Sequence, residues 1–490
     1  MKNVFVLCLL GSLGNLLNAQ NPYYDDQLGA AFYKERRQEL RKIMPDNSVA
    51  VFFSNPIRNR SNDVDFIYRQ DPNFQYLTGH IQPHALLLVF KEVMNIDGEN
   101  VNELIFIRER NPLRELYDGE RLAVDDVGGA LGLAKAYTTT QFENFNLDFS
   151  QFEKVMFYDF YDDYRNHKEK GDIFEIVAQI KQKVGFASSS DLQIEPESSN
   201  IDLITLDSYM NKLRGVKTAE EVSLLRKSVD ISTLAQAEVM KAMKPGLSET
   251  EIQGLHEYIF KKYRAEYEGY PSIVGAGHNG CVLHYIENYE PEIKDGELIL
   301  MDLGAEYHRY TADVTRTIPV NGKFTQEQKV IYDLVYEAQE AAWKLCKEGT
   351  PFSALYGATA EVVNKGLVEL GLYQDLEEAS IINPETGRNR YYPHGCCHHI
   401  GLDVHDKGEY INLEENMVIT IEPGIYIPKG SPSDPKWWDI AVRIEDDFLI
   451  QKDGCELLSD KAPRKSDEIE ALMAQPSPFD AIVLPELEEK

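Results

Sequence analysis

Two short runs decide how this chain is read: Leu298-Ile299-Leu300-Met301-Asp302-Leu303 and Val418-Ile419-Thr420-Ile421-Glu422. Each is a continuous apolar stretch of strand length, the pattern of a fully buried strand. Each carries one acid. An isolated buried carboxylate costs several kcal/mol unless it is paired, protonated or bound to a metal. Downstream of each run lies a second strand-like segment with another acid: Asp313 within Tyr310 to Ile318, and Glu445 within Ile440 to Ile450. Alternation along a strand places Asp313, Thr315 and Thr317 on one face, and Arg443, Glu445 and Asp447 on one face. Ion pairs with surface lysines would account for one such acid. Four acids in matching strand positions ask for a common cause.

The flanking sequence repeats as well. Thr218-Ala219-Glu220-Glu221 is a capping box before a long apolar-periodic helix running to Met243, stopped by Pro245-Gly246, and Ser248 to Glu251 opens a second helix to about Phe260. The pattern returns at Thr325 to Gln328, which caps a helix to Cys346. Gly349-Thr350-Pro351 breaks that helix, and Ser353 starts the next. Two helices followed by two strands, twice, indicate a duplicated unit with a pseudo-two-fold axis. Such an axis would bring all four acids together. Four carboxylates cannot all stay ionised side by side without cations.

Imidazoles gather in the same region. The stretch from Tyr392 to Asp406 holds His394, His398, His399 and His405, in a chain with only 11 histidines. Beside buried acids this reads as a metal and proton-transfer site. Carboxylate-rich sets with one imidazole suit hard or borderline divalent ions such as manganese. Two such ions can share carboxylates, generate hydroxide near neutral pH and polarise a carbonyl. Cys396 and Cys397 are read as packing residues, because the remaining ligands are hard.

At 490 residues the chain is too long for one compact core. Residues from about Asn21 to Ile204 form a candidate α/β unit. It opens with an amphipathic helix at Phe32 to Ile43. Strand-like runs follow at Val49 to Phe53, Ala85 to Phe90, Glu103 to Ile107 and Lys154 to Tyr158. Lys212 to Lys217 reads as the join. Residues 1–19 have a charged start at Lys2, an apolar run from Val4 to Leu17 and a small residue at Ala19. This is the pattern of a secretory signal, so an exported protein, periplasmic or secreted, is expected. Six cysteines are present; losing Cys8 with the signal leaves an odd number with no paired spacing, hence no disulfide framework. The formal charge of −31 argues against nucleic acid and anionic membranes as partners, and no stretch is long and apolar enough to span a bilayer.

These residues resemble aminopeptidase P, within the pita-bread metallopeptidases. The resemblance is carried by Met301 to Tyr307, Ala312 to Thr317, His394 to His405, Ile421 to Tyr426 and Val442 to Asp447. It extends into the first unit through Ser61-Asn62-Asp63 and Tyr68 to Gly79. It implies an α/β N-terminal domain at residues 20–205 and an α+β pita-bread catalytic domain at 212–465; the acidic C-terminal tail at 466–490 is not matched by it. It further implies that Asp302, Asp313, His398, Glu422 and Glu445 bind two divalent metals, most often manganese, with cobalt or zinc as alternatives. Asp313 and Glu445 would bridge them, and Glu422 would also handle the proton of the attacking water. His394 and His405 correspond to substrate-side imidazoles, His284 to a further active-site histidine, and Arg443 to a catalytic-site arginine. The implied reaction is hydrolysis of the bond before a proline in second position of a peptide. Relatives often pair through their N-terminal domains, and Asp63 matches a position that can approach a neighbour's active site, so a homo-oligomer is expected.

Three other readings use the same fold. A prolidase would hold the free carboxylate of an Xaa-Pro dipeptide, a task for arginine, and no arginine lies between His399 and Ile421. A metal-free creatinase-like hydrolase or a non-catalytic peptide-binding relative would be expected to lose metal ligands, whereas all five positions here are acid or imidazole.

Overall fold

A computed structural model describes residues 26–158, 170–185, 200–383, 388–482 and 484–485. The candidate signal, with Cys8, lies outside the described residues.

The N-terminal unit is built on a six-stranded sheet. Its strand order is Ala136–Thr138, Glu99–Ile107, Leu86–Ile96, Ser48–Phe53, Lys154–Phe157, Ile201–Asp202. The central strand Ser48–Phe53 pairs antiparallel with Leu86–Ile96 and parallel with Lys154–Phe157. Its period-two alternation feeds two cores. Val49, Val51 and Phe53 pack with Ile173, Ile176 and Ile180 of the helix Ile173–Val184. Ala50 and Phe52 share a core with Phe32 and Leu40 of the helix Ala30–Ile43. Both faces are therefore covered, which explains why Ser48–Phe53 is buried throughout. The helix Thr205–Gly215 leads into the second unit, so the expected join is helical to Gly215.

In the C-terminal unit all three capping boxes close. Thr218, Ser248 and Thr325 each accept from the backbone three residues on, and Glu221, Glu251 and Gln328 each return a hydrogen bond to the cap backbone. They open the helices Ala219–Ala242, Glu249–Lys262 and Gln326–Trp343; the fourth helix, Phe352–Glu369, follows Pro351. The strands following the first helix pair form a sheet in the order Ile273–Ala276, Leu298–Leu303, Val314–Pro319. Those following the second form Val418–Ile421, Asp446–Gln451, Gly454–Leu457 and a separate pair Gly424–Ile427 with Ile440–Arg443. Each half thus holds more strands than the two expected.

The expected continuous strands are also broken. Tyr310 to Ile318 splits into Tyr310–Thr311 and Val314–Pro319, the run Val418 to Glu422 ends as a strand at Ile421, and Ile440 to Ile450 splits after Arg443. Asp313, Glu422 and Glu445 sit in the breaks. Asp302 alone lies inside a strand, opposite Thr315.

The duplication shows in the hydrogen bonds that tie helix to sheet. Gln236 Nε2 donates to the carbonyls of Met301 and Val314, at 3.0 and 2.8 Å. In the second half Gln339 Nε2 donates among three acceptors, Ile421 O at 2.9 Å, Asp446 Oδ2 at 2.9 Å and Ile444 O at 3.3 Å. All four carbonyls belong to neighbours of the four acids.

Residues 466–490 begin with a docked helix, Ser466–Met473, whose Ile469 is fully buried. Among the described residues no helix is long and apolar enough to cross a membrane. Among the described residues, Cys281, Cys346, Cys396, Cys397 and Cys455 are free thiols.

Candidate metal centre

The strands of the two halves meet at Thr315 and Glu445. Glu445 N donates to Thr315 O at 3.1 Å, and Thr315 Oγ1 donates to Glu445 Oε2 at 2.7 Å. This junction brings the acids of both halves around one imidazole. His398 Nε2 lies 3.4 Å from Asp313 Oδ2, 3.6 Å from Glu422 Oε1 and 3.7 Å from Glu445 Oε1. Asp302 joins through Tyr270, whose hydroxyl donates to Asp302 Oδ1 at 2.7 Å or to Asp313 Oδ1 at 2.6 Å. Asp302, Asp313, His398 and Glu445 are buried, and Glu422 is partly exposed.

The imidazole is oriented by its neighbour. His398 Nδ1 is 3.0 Å from His399 O, a group that can only accept, so Nδ1 carries the proton and Nε2 faces the acids. Adjacent residues point opposite ways: His399 packs at a tilt on Phe352 and edge-on against Tyr410, and reaches Glu409 O. Burial pulls its pKa down to about 4. His399 therefore leaves the expected histidine cluster and is a packing residue.

Electrostatics explain why the set fits a cation. Burial and the Glu445 and Asp302 charges hold the Asp313 carboxyl well above the usual carboxylate range. Burial, then Glu445, does the same to Glu422. For His398 burial opposes charging, but the surrounding acids outweigh it and raise its pKa well above normal. Asp302 differs: burial would raise it, yet the adjacent Arg443 guanidinium and the Tyr270 hydrogen bond hold it below the usual value. Protons are thus retained where a positive ion would otherwise stand. Among the described residues, Glu445 Oε1 and Asp447 Oδ1 are buried oxygens with no hydrogen-bond partner. Ligand atoms of Asp313, His398 and Glu445 all come within 4.8 Å of one another. Hard oxygen donors plus one imidazole nitrogen fit divalent cations.

Arg443, expected among the catalytic groups, is buried behind Asp302. It pairs with Asp302 Oδ2 and donates from Nη1 to the Tyr426 hydroxyl at 2.7 Å. His394 continues this chain. Its Nδ1 donates to Gly395 O at 2.7 Å, and its Nε2 accepts from the Tyr426 hydroxyl at 2.9 Å. Burial and the Arg443 charge lower its pKa to about 3, so the ring stays neutral. His405 meets the His398 ring edge-on, with centroids 4.3 Å apart, and burial lowers its pKa. His284 is exposed, next to Leu283, whose carbonyl is 3.5 Å from Arg443 Nη2. Cys396 and Cys397 lie with their sulfurs 3.4 Å apart, and Cys396 is buried; Cys396 O accepts from Glu422 N at 2.7 Å.

Sequence reasoning missed Tyr270. It precedes the strand Ile273–Ala276 and reaches acids on two later segments, and no local pattern marks it. The chain Arg443–Tyr426–His394 was also invisible, because it is closed by contacts across the sheet pair Gly424–Ile427 and Ile440–Arg443.

Comparison with known proteins agrees with this arrangement. Residues 33–155 match the profile "Aminopeptidase P, N-terminal domain", and residues 223–452 match "Metallopeptidase family M24". The chain is 34% identical to the Xaa-Pro aminopeptidase of Escherichia coli K12, covering 90% of this chain and 97% of that protein. It is 30% identical to human Xaa-Pro aminopeptidase 3, covering 91% and 86%. The structure of aminopeptidase P from E. coli with the inhibitor Pro-Leu superposes with a TM-score of 0.78 at 32% identity, covering 91% of this chain and 98% of that one. With both profiles matched in order and relatives aligned over most of their length, the chain belongs to the aminopeptidase P group of metallopeptidase family M24.

Proposed function

We propose that this protein is a metallo-aminopeptidase that hydrolyses the N-terminal Xaa-Pro bond of peptides. The observation that carries the reading is the convergence of Asp313, Glu422 and Glu445 on His398 Nε2, within 3.4–3.7 Å, in a chain of the aminopeptidase P group. Asp302, Asp313, His398, Glu422 and Glu445 are assigned as the ligands of two divalent ions, with manganese as the proposed native metal. When bound, the ions supply Lewis-acid activation of water and polarisation of the scissile carbonyl.

The protein's own groups do the rest. Glu422, the ligand acid with an exposed edge, takes the proton of the attacking water and returns it to the leaving nitrogen. Thr315 fixes Glu445 through its hydroxyl, and Tyr270 with Arg443 fixes Asp302. His394, kept neutral, and His405 stand on the substrate side, where they orient the peptide and stabilise the oxyanion. His284 lines the same side. Arg443 is a positioning group, since Asp302 and Tyr426 occupy its guanidinium. That commitment weighs against a prolidase reading, which needs an arginine for a free carboxylate.

The amino-terminal pattern supports export, with residues 1–19 removed. Pairing of copies through the N-terminal unit is the proposed oligomeric state; light scattering that finds a monomer at working concentration would refute it. The decisive test of activity is a peptide panel of Xaa-Pro, Xaa-Pro-Yaa and Xaa-Ala-Yaa, with and without manganese. Hydrolysis of Xaa-Pro-Yaa at its first bond, lost with chelator, is expected. Hydrolysis of Xaa-Ala-Yaa alone would defeat the proposal.

A further inference from the structure

His405 projects from the short loop between Gly401 and Asp406. A partly exposed ring of this kind is placed chiefly by its backbone. That backbone is held by main-chain bonds: Thr311 N donates to Gly401 O at 2.8 Å, Gly401 N to Asp403 O at 3.1 Å, and Asp406 N to His399 O at 2.8 Å. A Cβ at position 401 would come within 2.0 Å of Asp406 Oδ2, so the tight turn requires glycine there.

Side chains from outside the loop then clamp it. Arg69, from the N-terminal unit, donates from Nη2 to Leu402 O at 2.6 Å and places Nη1 3.7 Å from Asp403 Oδ1; its Nε is anchored on Glu306 Oε2 at 2.8 Å. Arg214, at the end of the joining helix, donates from Nη2 to Asp403 Oδ2 at 2.7 Å and also pairs with Asp406. Its Nη1 reaches back to Asn73 Oδ1 of the N-terminal unit at 2.7 Å. Lys217 Nζ completes the set on Asp406 Oδ2 at 2.6 Å. Arg214, Lys217 and Asp406 have side chains no more than 2% exposed. Buried ion networks contribute little net stability, and their best-attested use is to fix register.

We propose that this network is the positioning device for His405, so that the N-terminal unit, through Arg69 and Arg214, sets the geometry of the substrate-side imidazole. The inference rests on reading His405 as a substrate-side group of the Xaa-Pro hydrolase. It gives the N-terminal unit a part in catalysis within its own chain. Arg69 and Arg214 are positioning residues, acting through the loop.

The test uses the metal-loaded, full-length protein and Arg69→Met, chosen because the Arg69 side chain is 33% exposed and not part of the core. Deuterium exchange of the Gly401–Asp406 amides is expected to quicken while metal content stays at the wild-type value. With an Xaa-Pro-Yaa peptide, kcat is expected to fall roughly tenfold to a hundredfold with KM little changed, the scale of a misplaced catalytic group. Arg69→Lys, which keeps the charge but not the fork, is expected to recover part of the rate. In a His405→Ala background, Arg69→Met is expected to cost nothing further. Unchanged exchange in Arg69→Met, or losses that multiply in the double variant, would overturn the proposal. If wild-type protein hydrolyses no peptide, the activity assigned above fails, and the exchange measurement alone decides the positioning.

Discussion

Gln236 and Gln339 do the same work in the two halves of the catalytic unit: each sends one buried amide from a long helix to two main-chain carbonyls beside that half's acids. Gln236 reaches Met301 and Val314, the neighbours of Asp302 and Asp313. Gln339 reaches Ile421 and Ile444, the neighbours of Glu422 and Glu445. Both glutamines are fully buried. An amide nitrogen with two protons can satisfy carbonyls where a strand breaks and the sheet ladder no longer does; Gln339 also shares its protons with Asp446 Oδ2, at 2.9 Å.

Gln339→Leu is therefore expected to destabilise the fold by about 2–4 kcal/mol, because it strands buried carbonyls. Metal affinity should fall with it, and Gln236→Leu should act alike. Denaturant unfolding with and without manganese measures both effects. Wild-type stability in either variant would show that the carbonyls find other partners.

Asp302→Asn and Glu445→Gln are each expected to lower hydrolysis by more than about a hundredfold and to reduce bound metal, since a ligand change costs at least as much as loss of a supporting contact. Elemental analysis beside peptide kinetics checks this. A variant that keeps two metals and a near-normal rate would remove that acid from the ligand set.

Metal binding should strengthen as pH rises. In the metal-free protein Asp313 and Glu422 hold protons well above the usual carboxylate range, and a cation must displace them. The folded chain also binds more protons at these sites than the unfolded chain does. Their effect on metal-free stability is therefore favourable at low pH and is lost as pH rises above the ordinary carboxylate value of about 4. Competition titrations at two pH values, with proton release followed in weak buffer, test the linkage. An affinity independent of pH would contradict it.

Xaa-Pro-Yaa peptides should be cleaved faster than Xaa-Pro dipeptides, by roughly tenfold to a hundredfold. This is the worth of a charge-assisted pair, about 1.5–3 kcal/mol, that a dipeptide site would supply and this one does not. Arg443 is already held by Asp302 and Tyr426. Specificity constants for matched peptides decide it; equal or faster dipeptide cleavage would move the reading to prolidase.

Protein from its native host should begin near Gln20. Intact-mass measurement checks this, and a mature chain starting at Met1 would rule out the removed signal.

How much of this was legible beforehand follows the range of the interactions. The capping boxes at Thr218, Ser248 and Thr325 are contacts over three residues, so the sequence alone determined where those helices start. It also determined that Asp302 and Glu422 were anomalous, because an acid at the end of a buried apolar run is costly wherever the chain goes. Tertiary structure decided the rest. The runs holding Asp313, Glu422 and Glu445 read as continuous strands, yet each breaks at its acid, since those carboxylates turn toward a centre made by the other half. His398 and His399 are indistinguishable by residue type, and only the family resemblance chose between them; in the fold, His399 pairs with Ile419 while His398 faces the acids. Tyr270 and Arg69 reach the centre and its loop from far upstream. Contacts of such separation leave no periodic trace, because they are set by how the elements pack and not by the residues next to them.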